Sequence, residues 1–555
     1  MRRGAGSARS CGSVVEIMEP CDNGQGCCQG EGIHPGRALD REGEVPPEPV
    51  GQMGASGSAV NGAPRQLADA PVVMCRADLG SIPLEISRPE GMMRGTPSTI
   101  MNTKTASPVT RRVFVQSGAL AAFSVAALRL PGRAQTNRNS KLRIFQIGVG
   151  GIGSLERNGL KGHPMVEWAG FCDVDQRELD KIKQEHPNAW TVKDYREAFA
   201  NKVADFDAVI VEAPDFHHAP MILTALKHHK HVYGQKPLVH QLDELRMIRD
   251  AVQARPNAVT QMGNQRACHR GRMQSVEILR KHQLGRPVEA YVWTGGVQRG
   301  HYFADPWSEY IHGKTAPSHL DWDLWRGPLS SEIPYSEDLA PRRWRTFWET
   351  GGGQLADWGC HLLDLLYFAY PMPAPEAVVT YTGRAPNTGH SANNLSVITY
   401  PGGGPFARPK FVVHYNDSAL MPSFAALGLP PMKVDANHTM VVCEGGTLLL
   451  QADGRITIFR DGQEVENEPL PKVEPRDHWK DWADNCLGAK KPLWTPFNIG
   501  WRITEPALLA VKATKFPGQE LRWDAASFRF TNHEKANQEI LKRNYRDGFA
   551  PPQVA

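Results

Sequence analysis

Cysteine is sparse in this chain, and no two cysteines are spaced as Cys-x-x-Cys. Ten are scattered over 555 residues, five of them (Cys11, Cys21, Cys27, Cys28, Cys75) in the first hundred. That placement gives neither a zinc site nor a disulfide framework. Charge of one sign is also scarce: a formal net charge of +4 without a basic block leaves no footprint for nucleic acid. The apolar run from Gly118 to Leu128 is too short for a stable membrane span. His217 and His218, and the run His228, His229 and His231, lack the carboxylate or cysteine partners of a ligand set, so no metal site is expected. What is there, 41% hydrophobic and 22% charged residues, fits a globular protein long enough for two or three domains.

Residues 1–100 are rich in Gly, Pro, Ser and Ala and show no sustained hydrophobic period. They are expected to be disordered or a mis-assigned extension, with translation starting at Met101. From Met101 the chain reads "MNTKTASPVTRRVFVQSGALAAFSVAALRLPGRAQ". A polar basic start, Arg111-Arg112 followed by Phe114, an apolar run and the small-x-Ala pattern Gly132-Arg133-Ala134 come in the order of a twin-arginine export signal over 101–134. Export by the twin-arginine machinery to the periplasm or beyond is expected. The alternative is a short buried helix after a chance arginine pair.

"KLRIFQIGVGGIGSLERNGL" comes next. The β-rich run Leu142 to Ile147 leads into Gly148, Gly150 and Gly153, spaced as GxGxxG with Gly151 and Ile152 inside, and a helical stretch follows. With 52 glycines the motif alone is weak, and its context carries the claim. A second strand, "VEWAGFCDVD", reaches Asp173 about 20 residues past the glycines, where an acid accepts hydrogen bonds from an adenosine ribose. Asp173 would repel a 2′-phosphate, so NAD is favoured over NADP. Further units, with strands at Ala208–Glu212 and His231–Tyr233, imply a doubly wound parallel sheet over 141–263 with ligand at the carboxyl ends of its strands. Pro214 and Lys236 sit at such ends. For Lys236 a solvated loop charge is the competing reading.

"GGGQLADWGCHLLDLLYFAY", residues 351–370, reads as a glycine turn feeding a mostly apolar helix. Asp357, His361 and Asp364 fall within about 60° of one another on it, a polar stripe among Leu355, Trp358, Leu362, Leu363, Leu365 and Leu366. Buried charge is costly unless paired or used. The stripe is therefore either a His–Asp pair tying the helix down or part of a site.

Together, and in this order, "GVGGIG", "DVD", "HAPMILTALKHHKHVYGQKPL" and "GGGQLADWGCHLLD" resemble the Gfo/Idh/MocA family of oxidoreductases, over residues 141 to about 550. The resemblance implies an N-terminal Rossmann doubly wound parallel sheet plus a C-terminal α/β domain, 264–550, with a large mostly antiparallel sheet. β-like runs at Val288–Thr294, Ala377–Thr382, Ser396–Tyr400, Phe411–Tyr415, Met440–Glu444 and Thr447–Gln451 agree with it. The helix-rich segment from Ile499 is expected to pack back across the domain boundary. By the same resemblance, Lys236 touches the nicotinamide ribose and the substrate hydroxyl and precedes an often cis Pro237. Asp357 and His361 match an Asp-x-x-x-His pair facing the substrate. The cofactor-facing set is then Gly148, Gly150, Gly151, Ile152, Gly153, Asp173, Pro214, His217, Lys236 and Asn264. In relatives the exposed sheet face makes homodimers or homotetramers, and the resemblance implies the same here. One departure is visible: the family's common residue before the lysine is Glu, and here it is Gln235.

Oxidising a secondary alcohol needs a hydride acceptor and a base. The nicotinamide is the first, and His361 suits the second because its ordinary pKa lies near 6.5. Lys236 would steady the developing alkoxide. Asp364 is either a substrate contact or an orienting group. Arg266 lies where relatives approach the nicotinamide or the substrate. The segment 301–353 is rich in aromatics, among them Trp307, Trp322, Trp325, Trp344 and Trp348. It makes Tyr335, Trp344 and Arg345 candidate walls of a carbohydrate pocket, core or subunit packing being the alternative. The leading expectation is an NAD(H)-dependent oxidoreductase of a sugar, polyol or glycoside. The alternatives are an NAD-dependent glycosidase working by transient C3 oxidation and elimination, and a non-catalytic dinucleotide-binding sensor.

Overall fold

The computed structural model describes residues 140–298, 301–303, 314–341, 343–434 and 437–555. The expected export signal, residues 1–100 and Trp307 lie outside the described residues. Among the described residues no helix is long and apolar enough to cross a membrane.

The first sheet is built from short runs of buried β-branched and aromatic residues. Its strands are β1 (Leu142–Ile147), β2 (Val166–Cys172), β3 (Trp190–Val192), β4 (Ala208–Val211), β5 (His231–Gly234) and β6 (Thr260–Met262). All pair in parallel, in the order β3-β2-β1-β4-β5-β6. The helices between them are α1 (Ile152–Leu160), α2 (Gln176–Glu185), α3 (Tyr195–Asn201), α4 (His218–Lys227) and α5 (Leu242–Ala254). Side chains set their starts: Asp175 caps α2, Asp194 caps α3, and Glu244 reaches back 2.8 Å to the Gln241 N–H at the head of α5. The strand order reverses between β1 and β4, which opens a crevice at the carboxyl ends of these two strands.

After α6 (Arg270–Arg280) the chain enters a ten-stranded sheet. It contains β7 (Pro287–Trp293), β8 (Ala377–Tyr381), β9 (Leu395–Pro401), β10 (Lys410–Asn416), β11 (His438–Cys443), β12 (Gly446–Gln451), β13 (Ile456–Arg460), β14 (Gln463–Glu464), β15 (Leu521–Asp524) and β16 (Arg529–Phe530). The order is β14-β13-β12-β11-β7-β10-β9-β8-β15-β16. Its pairs are antiparallel except β7 with β10, which run parallel. The four strands β13 to β16, not anticipated from the sequence, extend this sheet at its two edges. The remaining helices are α7 (Trp322–Arg326), α8 (Gly353–Ala369), α9 (His478–Cys486), α10 (Phe497–Ala513) and α11 (Glu534–Glu539).

One apolar cluster runs through both sheets, from Phe145 and Val209 through Leu355 and Leu362 to Leu508 and Trp523. The apolar side of α8 packs on α10, and α10 continues against α5 and β6, so the late helix does cross back to the first sheet. Gly359 permits the close approach: a Cβ there would stand 2.6 Å from Ala507 Cβ and 3.0 Å from the Tyr415 hydroxyl. Burial of residues such as Leu362, Leu363 and Leu508, each fully enclosed, contributes about 1.5–3 kcal/mol apiece. This packing fixes α8 over the carboxyl ends of β4 and β5.

Candidate active site

The crevice begins at the glycine turn. Gly148 (φ +85°) and Gly151 (φ +50°) lie in the left-handed region that favours glycine. A Cβ on Gly148 would run into the Glu212 carbonyl, and one on Gly153 into Gly148. A Cβ on Gly151 would meet nothing within 4 Å. The turn is thus packed from below and open above. No side chain caps α1, leaving the helix start for an anion. Asp173 stands at the rim: its Oδ2 accepts the Val149 N–H (2.9 Å) and its Oδ1 the Asp175 N–H (3.0 Å). Burial pushes its pKa up, against those two hydrogen bonds. An open glycine cradle, an uncapped helix start and an anchored acid fit a diphosphate and its ribose.

Lys236 follows β5, and its bond to Pro237 is cis. Its Nζ donates to Asp357 Oδ1 (2.5 Å) and to the Asp357 carbonyl (3.2 Å). Arg345 Nε donates to the same Oδ1 (3.1 Å), and the Tyr302 hydroxyl donates to Oδ2 (2.6 Å). Burial alone would raise the Asp357 pKa, but Lys236 and Arg345 outweigh it and hold the carboxyl far below its usual range. Asp357 is therefore a locked anion. His361, one turn on, has a buried Nδ1 without a hydrogen-bond partner among the described residues. Burial, then the charges of Lys236 and Arg266, hold its pKa well below the ordinary histidine value, so the imidazole is neutral. The half-buried Trp358 ring lies edge-on to His361 (5.9 Å) and under the Arg266 guanidinium (5.3 Å).

Two members of this cluster were not anticipated. Tyr302 closes the second oxygen of Asp357. Asp215, just past β4, accepts the Gly352 N–H at Oδ2 (3.2 Å) and leaves Oδ1 buried without a partner among the described residues. Burial raises its pKa to about 7, with Arg345 and Lys236 lowering it and Asp357 raising it. "EAPDFHH" carries no pattern that marks this Asp from sequence. Tyr302 sits in the aromatic segment but was hidden among its tryptophans.

Other expected site residues are placed differently. Asp364 is fully buried and paired with Arg272 of α6, and it also accepts from Asn264 Nδ2 (2.8 Å). It is a structural tie between α8 and α6, and burial pushes its pKa up to about 7 against the lowering by Arg272 and Asn264. Asn264, whose Nδ2 also bonds the Cys360 carbonyl (2.9 Å), ties the end of β6 to α8 and keeps Oδ1 buried without a partner among the described residues. His217 bonds the Trp325 carbonyl through Nε2 (2.7 Å), and burial drives its pKa to about 3, so it anchors the α7 segment. Tyr335 packs edge-on against Trp322 (5.3 Å) in an apolar cluster with Phe216 and Trp325, and is not a pocket wall. Trp344 belongs to the same cluster and supports the Arg345 guanidinium from 4.1 Å. Pro214 precedes the short turn that carries Asp215. Among the described residues no cluster of His, Cys, Asp and Glu is arranged to hold a metal.

Comparison with known proteins gives a consistent picture. Residues 142–262 match a family model described as an oxidoreductase family with an NAD-binding Rossmann fold. Residues 275–373 match the C-terminal alpha/beta domain of an oxidoreductase family. Inositol 2-dehydrogenase of Salmonella typhimurium is 30% identical over 177 residues, which is 30% of this chain and 48% of that protein. A glycosyl hydrolase family 109 protein of Shewanella baltica is 26% identical over 219 residues, 38% of this chain and 40% of that protein. The chain thus spans about half the length of the curated relatives it matches. The WlbA dehydrogenase of Chromobacterium violaceum, solved with NADH and UDP-GlcNAcA, shares the fold. Its TM-score is 0.50 at 16% identity, over 70% of this chain and 97% of that one.

Proposed function

The chain belongs to the Gfo/Idh/MocA oxidoreductase family, and on that premise we propose that it oxidises or reduces a secondary alcohol carbon of a sugar, polyol or glycoside with NAD(H). The observation that carries this reading is the convergence of Lys236, Arg345, Asp357 and His361 over the carboxyl ends of β4 and β5. A bound nicotinamide dinucleotide supplies the two-electron acceptor. Asp357, saturated by three side-chain donors, orients Lys236 and is no base. The neutral His361 imidazole takes the hydroxyl proton, and the Lys236 ammonium steadies the alkoxide. Asp173 sets the preference for NAD over NADP by repelling a 2′-phosphate. Likeness to an inositol dehydrogenase supports a polyhydroxylated ring as substrate.

The proposal extends to export through the 101–134 signal and to self-association through the outer face of the ten-stranded sheet. On that face Tyr381 and Leu395 stand 53% and 43% exposed. Light scattering of the purified protein tests the latter. For the activity, the protein is purified and its near-ultraviolet spectrum recorded. NAD+ is then offered with myo-inositol and a panel of sugars, followed at the nicotinamide band. Turnover with at least one member supports the proposal. Phenol release from a chromogenic glycoside without net NADH would replace it with the glycosidase reading, and binding of NADH without turnover of any alcohol or glycoside with the sensor reading.

A further inference from the structure

The residue before Lys236 is neutral, and its surroundings explain why. The buried Gln235 amide nitrogen donates to Glu156 Oε1 (2.9 Å) and to Glu212 Oε2 (3.0 Å), while its oxygen accepts the Lys236 backbone N–H (2.9 Å). Glu156, from α1, is also held by the Tyr233 hydroxyl (2.9 Å) and by the Trp479 indole N–H of α9. Glu212 follows β4 against the glycine turn, and its Oε1 is buried without a partner among the described residues. Space fixes the amide as well: a Cβ on Gly263 would stand 2.7 Å from its oxygen.

Two buried carboxyls joined through one nitrogen have oxygens no more than about 6 Å apart, and like charges so close cannot both ionise out of water. Burial pushes Glu156 up to about 7, and burial together with the Glu156 charge pushes Glu212 well above its ordinary value. The cations facing the pair are Lys236 and Arg157. Tyr233 is the other titratable neighbour, with His478 against its ring. A glutamate at 235 would add a third carboxyl and remove both donated hydrogen bonds. Only a group that donates on one side and accepts on the other satisfies all three neighbours.

We propose that Gln235 is a positioning residue, a neutral clamp that aims Lys236 by bridging Glu156 and Glu212, which share one proton; this rests on the reading of Lys236 as an active-site group. The carboxyl the family commonly carries next to the lysine is supplied here from β4.

The test compares wild type with Gln235→Glu, with the exchange Glu212→Gln/Gln235→Glu, and with Gln235→Asn. Two readouts are taken: the melting temperature from pH 5 to 9, and kcat and KM on the alcohol found in the substrate panel. Forced ionisation of clustered carboxyls weakens the fold as pH rises, because their pKa values are higher folded than unfolded. Gln235→Glu is expected to lose melting temperature progressively with pH relative to wild type, and to lose kcat about 10²-fold with KM little changed. The exchange, which restores two carboxyls and one amide, is expected to recover both. Gln235→Asn, too short to bridge, is expected to lose kcat without the pH-dependent melting. A Gln235→Glu variant matching wild type in both readouts, or an exchange no better than that single change, overturns the proposal. If wild type turns over no alcohol, the functional reading fails while the melting profiles still decide the clamp.

Discussion

Replacing Asp357 with Asn removes one negative charge and almost no volume, and the structure sets the size of the effect. The Lys236 and Asp357 side chains are each 11% exposed and Arg345 is 21% exposed, so water screens the cluster weakly. At an effective dielectric near 20, unit charges this close attract by about 5–7 kcal/mol, most of it offset by taking the groups out of water. The variant leaves two enclosed cations without the carboxylate they both bond, and breaking such a pair on one side costs about 3–5 kcal/mol. At about 2 °C per kcal/mol for a unit of this size, the melting temperature at pH 7 is expected to fall by about 6–10 °C. The pH dependence has a definite sign. The folded-state pKa of Asp357 is depressed, so its contribution is complete above the unfolded value near 3.9 and is lost as pH falls through the folded value. Asp357's own share of the gap between wild type and Asp357→Asn therefore closes only below about pH 4, while Asp215, raised to about 7 in part by the Asp357 charge, widens the gap modestly as pH falls from about 8 to 5. Intrinsic tryptophan fluorescence melts across this range read it directly. A gap below about 2 °C at pH 7, or one that does not shrink below about pH 4, would refute the reasoning.

Further expectations follow from the same geometry. Gly148→Ala, at φ +85° and against the Glu212 carbonyl, is expected to weaken NADH binding at least about tenfold by fluorescence titration, and an unchanged Kd contradicts the glycine-turn assignment. His361→Ala is expected to lower kcat about 10²–10⁴-fold with NADH affinity retained. Because the His361 pKa lies well below 6.5, wild-type activity should decline toward acid only below that pH, and a decline centred at 6.5 or higher speaks against His361 as the base. Arg272→Met is expected to lower the melting temperature through the stranded Asp364 and to leave the substrate KM unchanged. A raised KM with an intact melting point would return Asp364 to the substrate.

Periodicity made much of the fold legible. The alternating and all-apolar runs marked β1, β2, β4, β5 and β7 to β12 but not the three-residue β3, and the glycine spacing with Asp173 marked the crevice. What the sequence hid was pairing across long separations. Asp364 looks like a third member of the α8 stripe until Arg272, 92 residues earlier, is found against it. An arginine on an amphipathic helix ordinarily faces water, so nothing local marked it as buried. The aromatics between 316 and 348 were ambiguous for a related reason: Trp322 stacks on Trp325 and meets Tyr335 edge-on, and a self-packed cluster has the same composition as a sugar platform. β13 to β16 are strands of two to five residues at the two ends of the sheet, where too few positions alternate to be read.

The cluster around Lys236 does two things at once. Its members come from the ends of β4 and β5, from Tyr302, from the turn before α8 and from α8 itself, so no element carries the site alone. Desolvating these charges opposes folding, and the buried leucines of α8 and α10 offset that cost, which explains why so polar a stripe rides on so apolar a helix. The pairing also decides which group moves a proton. Lys236, Arg345 and Tyr302 occupy both oxygens of Asp357 and keep it ionised, while burial, and then Lys236 and Arg266, keep His361 uncharged. Enclosure and one arrangement of cations thus remove the carboxylate as a base and leave the imidazole ready to accept. The neutral Gln235 behind Lys236 preserves that arrangement, since an added carboxylate there would compete with Asp357 for the ammonium group.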